Sequence, residues 1–166
     1  MRTQLVQFAL IVLLPFASVS SWAVAKSDLR RSFPEGERLL YTRLVVAYRH
    51  ADLPEVMRLR QSLQSHYPAS VHLDNAYYLS GILQFQKNHF GEALKSFDVV
   101  TEKLTMSNKR PSALFAKAMT YGRLNLNKQA HDLFSTLLKE YPGSPESQRA
   151  WMTLELEKEK AKSIKR

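Results

Sequence analysis

Apolar residues recur along most of this chain at three- and four-residue intervals, the period of a helix with one buried face. They gather in stretches of about 14 residues parted by short polar turns, and the pattern returns every 37 residues. Tyr41, Tyr78 and Phe115 lie on that step, as do Val56, Ala93 and Ala130, then Leu40, Tyr77, Leu114 and Trp151, with Pro68 and Pro142 two steps apart. A unit this short cannot bury its own apolar face, so copies must stack. The pattern predicts an all-α solenoid with blocks at 37–73, 74–110 and 111–147, followed by a closing helix and basic tail at 148–166. Within the blocks it predicts helices over 37–50 and 53–66, 74–88 and 90–104, and 111–124 and 127–140, with a last helix over 145–162.

Local signals support these boundaries. Asp52 and Glu55 have the spacing of a capping box, and Pro54 sits in a first turn, where a missing N–H is tolerated. Ser144-Pro145 reads as an N-cap followed by proline at the first helical position, after Gly143. Ser32-Phe33-Pro34-Glu35 has the same form and predicts a helix start slightly ahead of residue 37. Gly81 and Ala118 are expected to face Ala93 and Ala130, bringing paired helices close, whereas Leu44 and Val56 should splay the first hairpin. Trp151 and Leu154 are expected on the buried face of the closing helix, with Glu155, Glu157, Glu159, Lys158, Lys160 and Lys162 turned to water.

The first 25 residues follow a different rule. Arg2, an apolar run from Leu5 to Ala17 and the small-residue site Ala23-Val24-Ala25 read as a signal peptide cleaved after Ala25, with 26–36 as a linker. The rival reading, a retained anchor, has an apolar run of about 13 residues against the roughly 20 a spanning helix needs. The chain has no cysteine, which removes disulfides, thiolate metal sites and a lipid-modified cysteine. The expected location is an exported one, a bacterial periplasm. The formal charge of +9 would suit nucleic acid, but the basic residues are scattered and export separates the chain from that partner. The excess at Arg58-Leu59-Arg60, Lys109-Arg110 and the tail is read as solvated surface, with peripheral contact to anionic lipid or cell-wall polymer as the functional alternative.

Ala76, Tyr77, Tyr78, Leu79, Ser80 and Gly81, followed by Phe85, Phe90, Ala93, Phe97 and Val100, resemble a tetratricopeptide repeat. The third block resembles it through Leu114, Phe115, Ala118, Tyr121, Ala130, Phe134, Leu137 and Pro142, while the first is more divergent. Positions usually apolar in the family hold Arg43, Ser80 and Lys117. The Tyr-Pro links at Tyr67-Pro68 and Tyr141-Pro142 resemble periplasmic members, such as the Tol-Pal-associated cell-division coordinator and the barrel-assembly lipoprotein. The resemblance implies a right-handed solenoid whose first helices line a groove for a protein or peptide.

In that groove the resemblance places Tyr41, Val45 and Tyr48, then Tyr78, Ile82 and Phe85, then Phe115 and Met119, with Gly122 closing the row. Arg38, Arg49, Asn75, Gln86 and Arg123 form its rim and favour an acidic or amide-rich ligand. The lysine and asparagine that clamp a carboxylate in some members are absent from the matching positions. An apolar stripe at helical spacing is equally the mark of a core, so the closing helix or the N-terminal segment is the alternative occupant. His50, His66, His72, His89 and His131 lack metal-ligand spacing, and no nucleophile elbow or glycine-rich phosphate loop is present. No cofactor or metal is expected, and the chain reads as a non-catalytic scaffold of an envelope or division assembly. A self-associating structural protein and an accessory subunit of a cell-wall enzyme are the alternatives.

Overall fold

The computed structural model describes residues 35–164, and the expected leader and its cleavage site lie outside them. Seven helices follow one another: α1 Glu35–Arg49, α2 Leu53–His66, α3 Leu73–Gln86, α4 Phe90–Asp98, α5 Arg110–Arg123, α6 Asn127–Glu140 and α7 Pro145–Ile164. They pack as three antiparallel hairpins, α1–α2, α3–α4 and α5–α6, with α7 laid on α6 and α5. Each element touches near neighbours in the chain, the quasi-one-dimensional organisation of a helical stack. α1 starts at Glu35, so the last two residues of the expected linker are helical.

The 37-residue step holds at the level of single backbone groups. Every hairpin turns through one residue in the left-handed region: Ala51 at φ 54°, Asn88 at 62° and Asn125 at 59°. The N–H after each returns to the end of the first helix, Asp52 to Ala47 O at 3.0 Å, His89 to Gln84 O at 2.8 Å and Leu126 to Tyr121 O at 2.9 Å. Asparagine tolerates this conformation and alanine does not favour it.

The links between hairpins repeat as closely. Ser70, Ser107 and Ser144 donate their N–H to Tyr67, Leu104 and Tyr141 carbonyls at 2.9, 2.9 and 3.0 Å. Ser70 Oγ also donates to Glu37 at 2.5 Å and Ser107 Oγ to Asp74 at 2.6 Å, tying each link back to the first turn of its own block's first helix. Pro111 stands where the third acid would be, so Ser144 serves as the N-terminal cap of α7, accepting Ser147 N–H at 3.1 Å.

Packing inside the hairpins departs from expectation in several places. Leu44 and Val56 are shut from water, and the first hairpin is closed as extensively as the second, not splayed. The nearest side chain to Gly81 is Phe97, one turn beyond Ala93 on α4. With Leu63, Phe134 and Leu137, Phe97 belongs to the fully buried core, each such side chain contributing about 1.5–3 kcal/mol. The capping box is half formed: Asp52 accepts Glu55 N–H at 3.1 Å, while the Glu55 carboxylate bonds Arg58 at 2.6 and 2.7 Å instead of reaching back.

α4 keeps its helical pattern only to Asp98 and continues as a π turn over Val99–Lys103, although one α-helix was expected through 104. The wider turn leaves Thr101 O to accept Arg110 Nε at 3.1 Å. It also sets Asp98 and Glu102 beside the buried Lys117, whose Nζ lies 2.7 and 3.0 Å from their carboxylates. Burial opposes the Lys117 charge, but those two carboxylates outweigh it and hold the ammonium pKa above its ordinary value. Ser80, one step earlier, turns its hydroxyl onto Ala76 O at 2.8 Å. Ser80 and Lys117 at this apolar-type position are thus individually satisfied.

The register of α7 corrects another expectation. Its buried face is Ser147, Ala150 and Leu154, and Trp151 is exposed. Ala76, Ala113 and Ala150 are all fully buried and lie one step apart, marking the stripe that meets the preceding hairpin. Trp151 lies instead on the row of Tyr77 and Leu114, in which Tyr77 sits beneath Arg60 and donates to Gln64 of α2, and no second helix follows α7 among the described residues.

Candidate functional site

The first helices set equivalent side chains in parallel rows. Tyr78, Ile82 and Phe85 of α3 and Phe115 and Met119 of α5 line one open cavity of about 270 Å³, with Ser112, Ala116 and, from α7, Glu146 and Arg149. These are five of the nine residues expected to line a groove. The closing helix forms a wall of the cavity instead of plugging it. By the 37-residue step it also adds a row, Met152 after Phe115 and Leu156 after Met119, and both are exposed. Gly122 is exposed at the end of α5 and does not line the cavity.

Wall residues are shared with the core. Tyr78, Phe85 and Phe115 are half-buried, and their rings tilt against Phe97, Phe90 and Phe134 at centroid distances of 6.3, 5.7 and 5.7 Å. Aromatic pairs of this geometry add about 0.5–1.5 kcal/mol beyond buried area. The trough wall is therefore held rigid from behind. Burial, with Tyr48 and Glu146 nearby, pushes the Tyr78 phenol pKa up against the opposing effect of Arg149.

Three expected residues lie apart from this cavity. Tyr48 is half-buried and packs on the core of the first two hairpins. Val45 is half-buried in the first row. Tyr41 stacks on His72, with ring centroids 4.2 Å apart and 6° between planes, and its hydroxyl accepts Asn75 Nδ2. That bond engages the amide of Asn75, expected on the rim, in joining the first two rows.

Along the rim, Arg123 lies over Phe85 and Phe90 at 5.9 and 5.6 Å, a cation–π bridge from α5 to the second hairpin. Arg38, Arg49 and Gln86 are exposed and lie outside the cavity lining. Among the packing residues, Gly81, Ala93, Ala118 and Ala130 are buried as expected.

Sequence reasoning missed Ser112, Glu146 and Arg149. Ser112 Oγ donates to Glu146 at 2.8 Å, Arg149 Nη2 lies 3.4 Å from the same carboxylate, and the Arg149 guanidinium sits 5.2 Å from the centre of the Phe115 ring. The signal was present: the step that joins Arg38 to Asn75 continues to Ser112 and then Arg149. Among the histidines, His66 Nδ1 is 2.9 Å from Ser62 O and His131 Nδ1 is 3.5 Å from Ser135 Oγ. Among the described residues no cluster of histidines and carboxylates is placed to hold a metal ion, and no helix is long and apolar enough to cross a membrane. No protein-family model matches the chain, and no curated protein matches it.

Proposed function

We propose that this chain is a non-catalytic adaptor of the tetratricopeptide type, exported to a periplasm, that holds a protein or peptide in the trough formed by its first helices. What supports this reading is the predominantly apolar cavity between α3, α5 and α7, walled by Tyr78, Ile82, Phe85, Phe115 and Met119 and left open with the closing helix in place. An apolar side chain of the partner enters it and loses its contact with water, contributing about 1.5–3 kcal/mol. The walls change little on binding because the core already holds their rings, so little conformational entropy is lost. The exposed Arg38, Arg49 and Arg123 attract an acidic segment and raise the encounter rate. The role is that of a component of an envelope or division assembly, with at most peripheral contact to membrane.

Met119 offers the cleanest test, because it lines the cavity while remaining exposed. Met119→Glu places a charge in the trough with little effect on folding, within about 0.5 kcal/mol for an exposed position. Partner capture should weaken at least about tenfold, the equivalent of 1.4 kcal/mol, while the melting curve is retained. Unchanged capture by the variant would refute trough binding.

A further inference from the structure

A repeat stack stays soluble and discrete when its end units present polar outer faces. Both ends of the described structure depart from this. At the C-terminal end, α7 holds the place of the first helix of a fourth hairpin whose second helix is missing among the described residues. Trp151 is 57% exposed, where Leu114 and Tyr77, one and two steps earlier, are 4% and 9% exposed. With Leu138, Pro142 and the exposed Met152 it borders a shallow hollow of about 400 Å³. At the other end, Leu39, Arg43 and Val46 of α1 stand one step before Ala76, Ser80 and Leu83. Those three are buried, whereas Leu39, Arg43 and Val46 are exposed. Val46 and Arg43 border a second hollow of about 370 Å³.

We propose that copies of this chain associate end to end, the Leu39–Val46 face of α1 in one copy seating against Trp151 and Met152 of α7 in the next. Continuity with the internal packing supports a second copy as the occupant. α1 presents a stripe that is buried in the first helix of each later hairpin, and α7 presents, at Trp151, a row that is buried at Tyr77 and Leu114 in the earlier hairpins. One heterologous contact covers both ends, whereas two-fold pairing of α7 with itself would leave Leu39 and Val46 in water. The charges also match. Arg43 lies between Leu39 and Val46 and reaches Glu55 only at 3.8 Å, while α7 carries Glu157 beyond Trp151, next to a Glu155 that pairs with Lys158 at 2.7 Å. A contact of this kind builds an open chain of copies or closes into a ring.

The test is the mass of the purified protein by light scattering and sedimentation across a wide concentration range. Trp151→Glu and Val46→Glu are measured singly and mixed, with circular dichroism confirming that each is folded. The expected result is a parent that forms chains or a ring and variants that are each monomeric. Mixing the variants in equal amounts should restore a dimer and nothing larger, because each retains one competent end. Met119→Glu should leave the mass unchanged, which separates this contact from trough binding. A parent that stays monomeric overturns the proposal, whether its ends are bare or covered by other residues of the chain. So does an assembly lost with Trp151→Glu but untouched by Val46→Glu, the pattern of two-fold α7 pairing.

Discussion

Replacing Gly81 with alanine adds one methyl group where α3 runs closest to α4. A Cβ built there would lie 2.5, 2.8 and 2.9 Å from three carbons of the Phe97 ring. Non-bonded carbons otherwise rest about 3.5–4.0 Å apart, so the ring must withdraw by about 1 Å. It has little room, since Phe97 is fully buried and tilts against Tyr78 at 6.3 Å. Forcing an extra methyl into such a core costs about 1–3 kcal/mol. Removing a glycine from a helix interior returns about 1 kcal/mol, leaving an expected net loss of about 1 kcal/mol. Urea unfolding followed by circular dichroism reads this directly, and the melting temperature should fall by about 3–6 °C. Phe97→Leu in the Gly81→Ala background should cost less than the two single losses combined, because the shortened side chain relieves the clash. A Gly81→Ala variant as stable as the parent, or strict additivity in that cycle, would refute the close approach.

Ala51→Gly should raise stability by about 0.5–1 kcal/mol, since it relieves a left-handed alanine at the cost of some unfolded-state entropy. Asn88→Ala should lower stability by a similar amount, and the opposite signs are read from the same denaturation series. Lys117→Met should cost about 1–2 kcal/mol through lost charged hydrogen bonds whose carboxylate partners still reach water. Folding raises the Lys117 pKa, so its contribution is complete below the unfolded value of about 10.4 and is lost as pH rises through the folded value. As pH rises above about 10.4, the unfolded value, the parent should therefore lose more stability than Lys117→Met. Tyr78, whose neutral form folding favours, also loses stability there, but it does so in both proteins and drops out of the difference.

Helix positions were legible because burial, turn length and capping repeat together. The expected helices over 53–66 and 127–140 coincide with α2 and α6. Asn88 and Asn125 mark the left-handed turn in two copies, but Ala51 gives no such sign, and only the step from those asparagines points to it. Trp151 was misplaced because its period match is real: the position is buried at Tyr77 and Leu114 in the earlier hairpins, whereas no second helix follows α7 among the described residues. The π turn was hidden because α4 begins one step after α2, and the turn ends at Lys103, one step after His66. The anomaly lies in which carbonyl Leu104 N–H meets, Val99 at 3.0 Å, and apolar periodicity does not encode that choice. In the trough, large apolar residues announced themselves, whereas Ser112, Glu146 and Arg149 look like ordinary cap and surface residues until α7 is seated.

Site-specific photo-crosslinking in the cells that make the protein tests the trough most directly. The crosslinker is placed at Met119 in the cavity and, as control, at Lys128 on the outer side of α6. The account predicts a discrete heterologous adduct from position 119 that is absent from position 128. The same adducts from both positions, or adducts from 119 only to other copies of the chain, would contradict an adaptor that binds its partner in the trough.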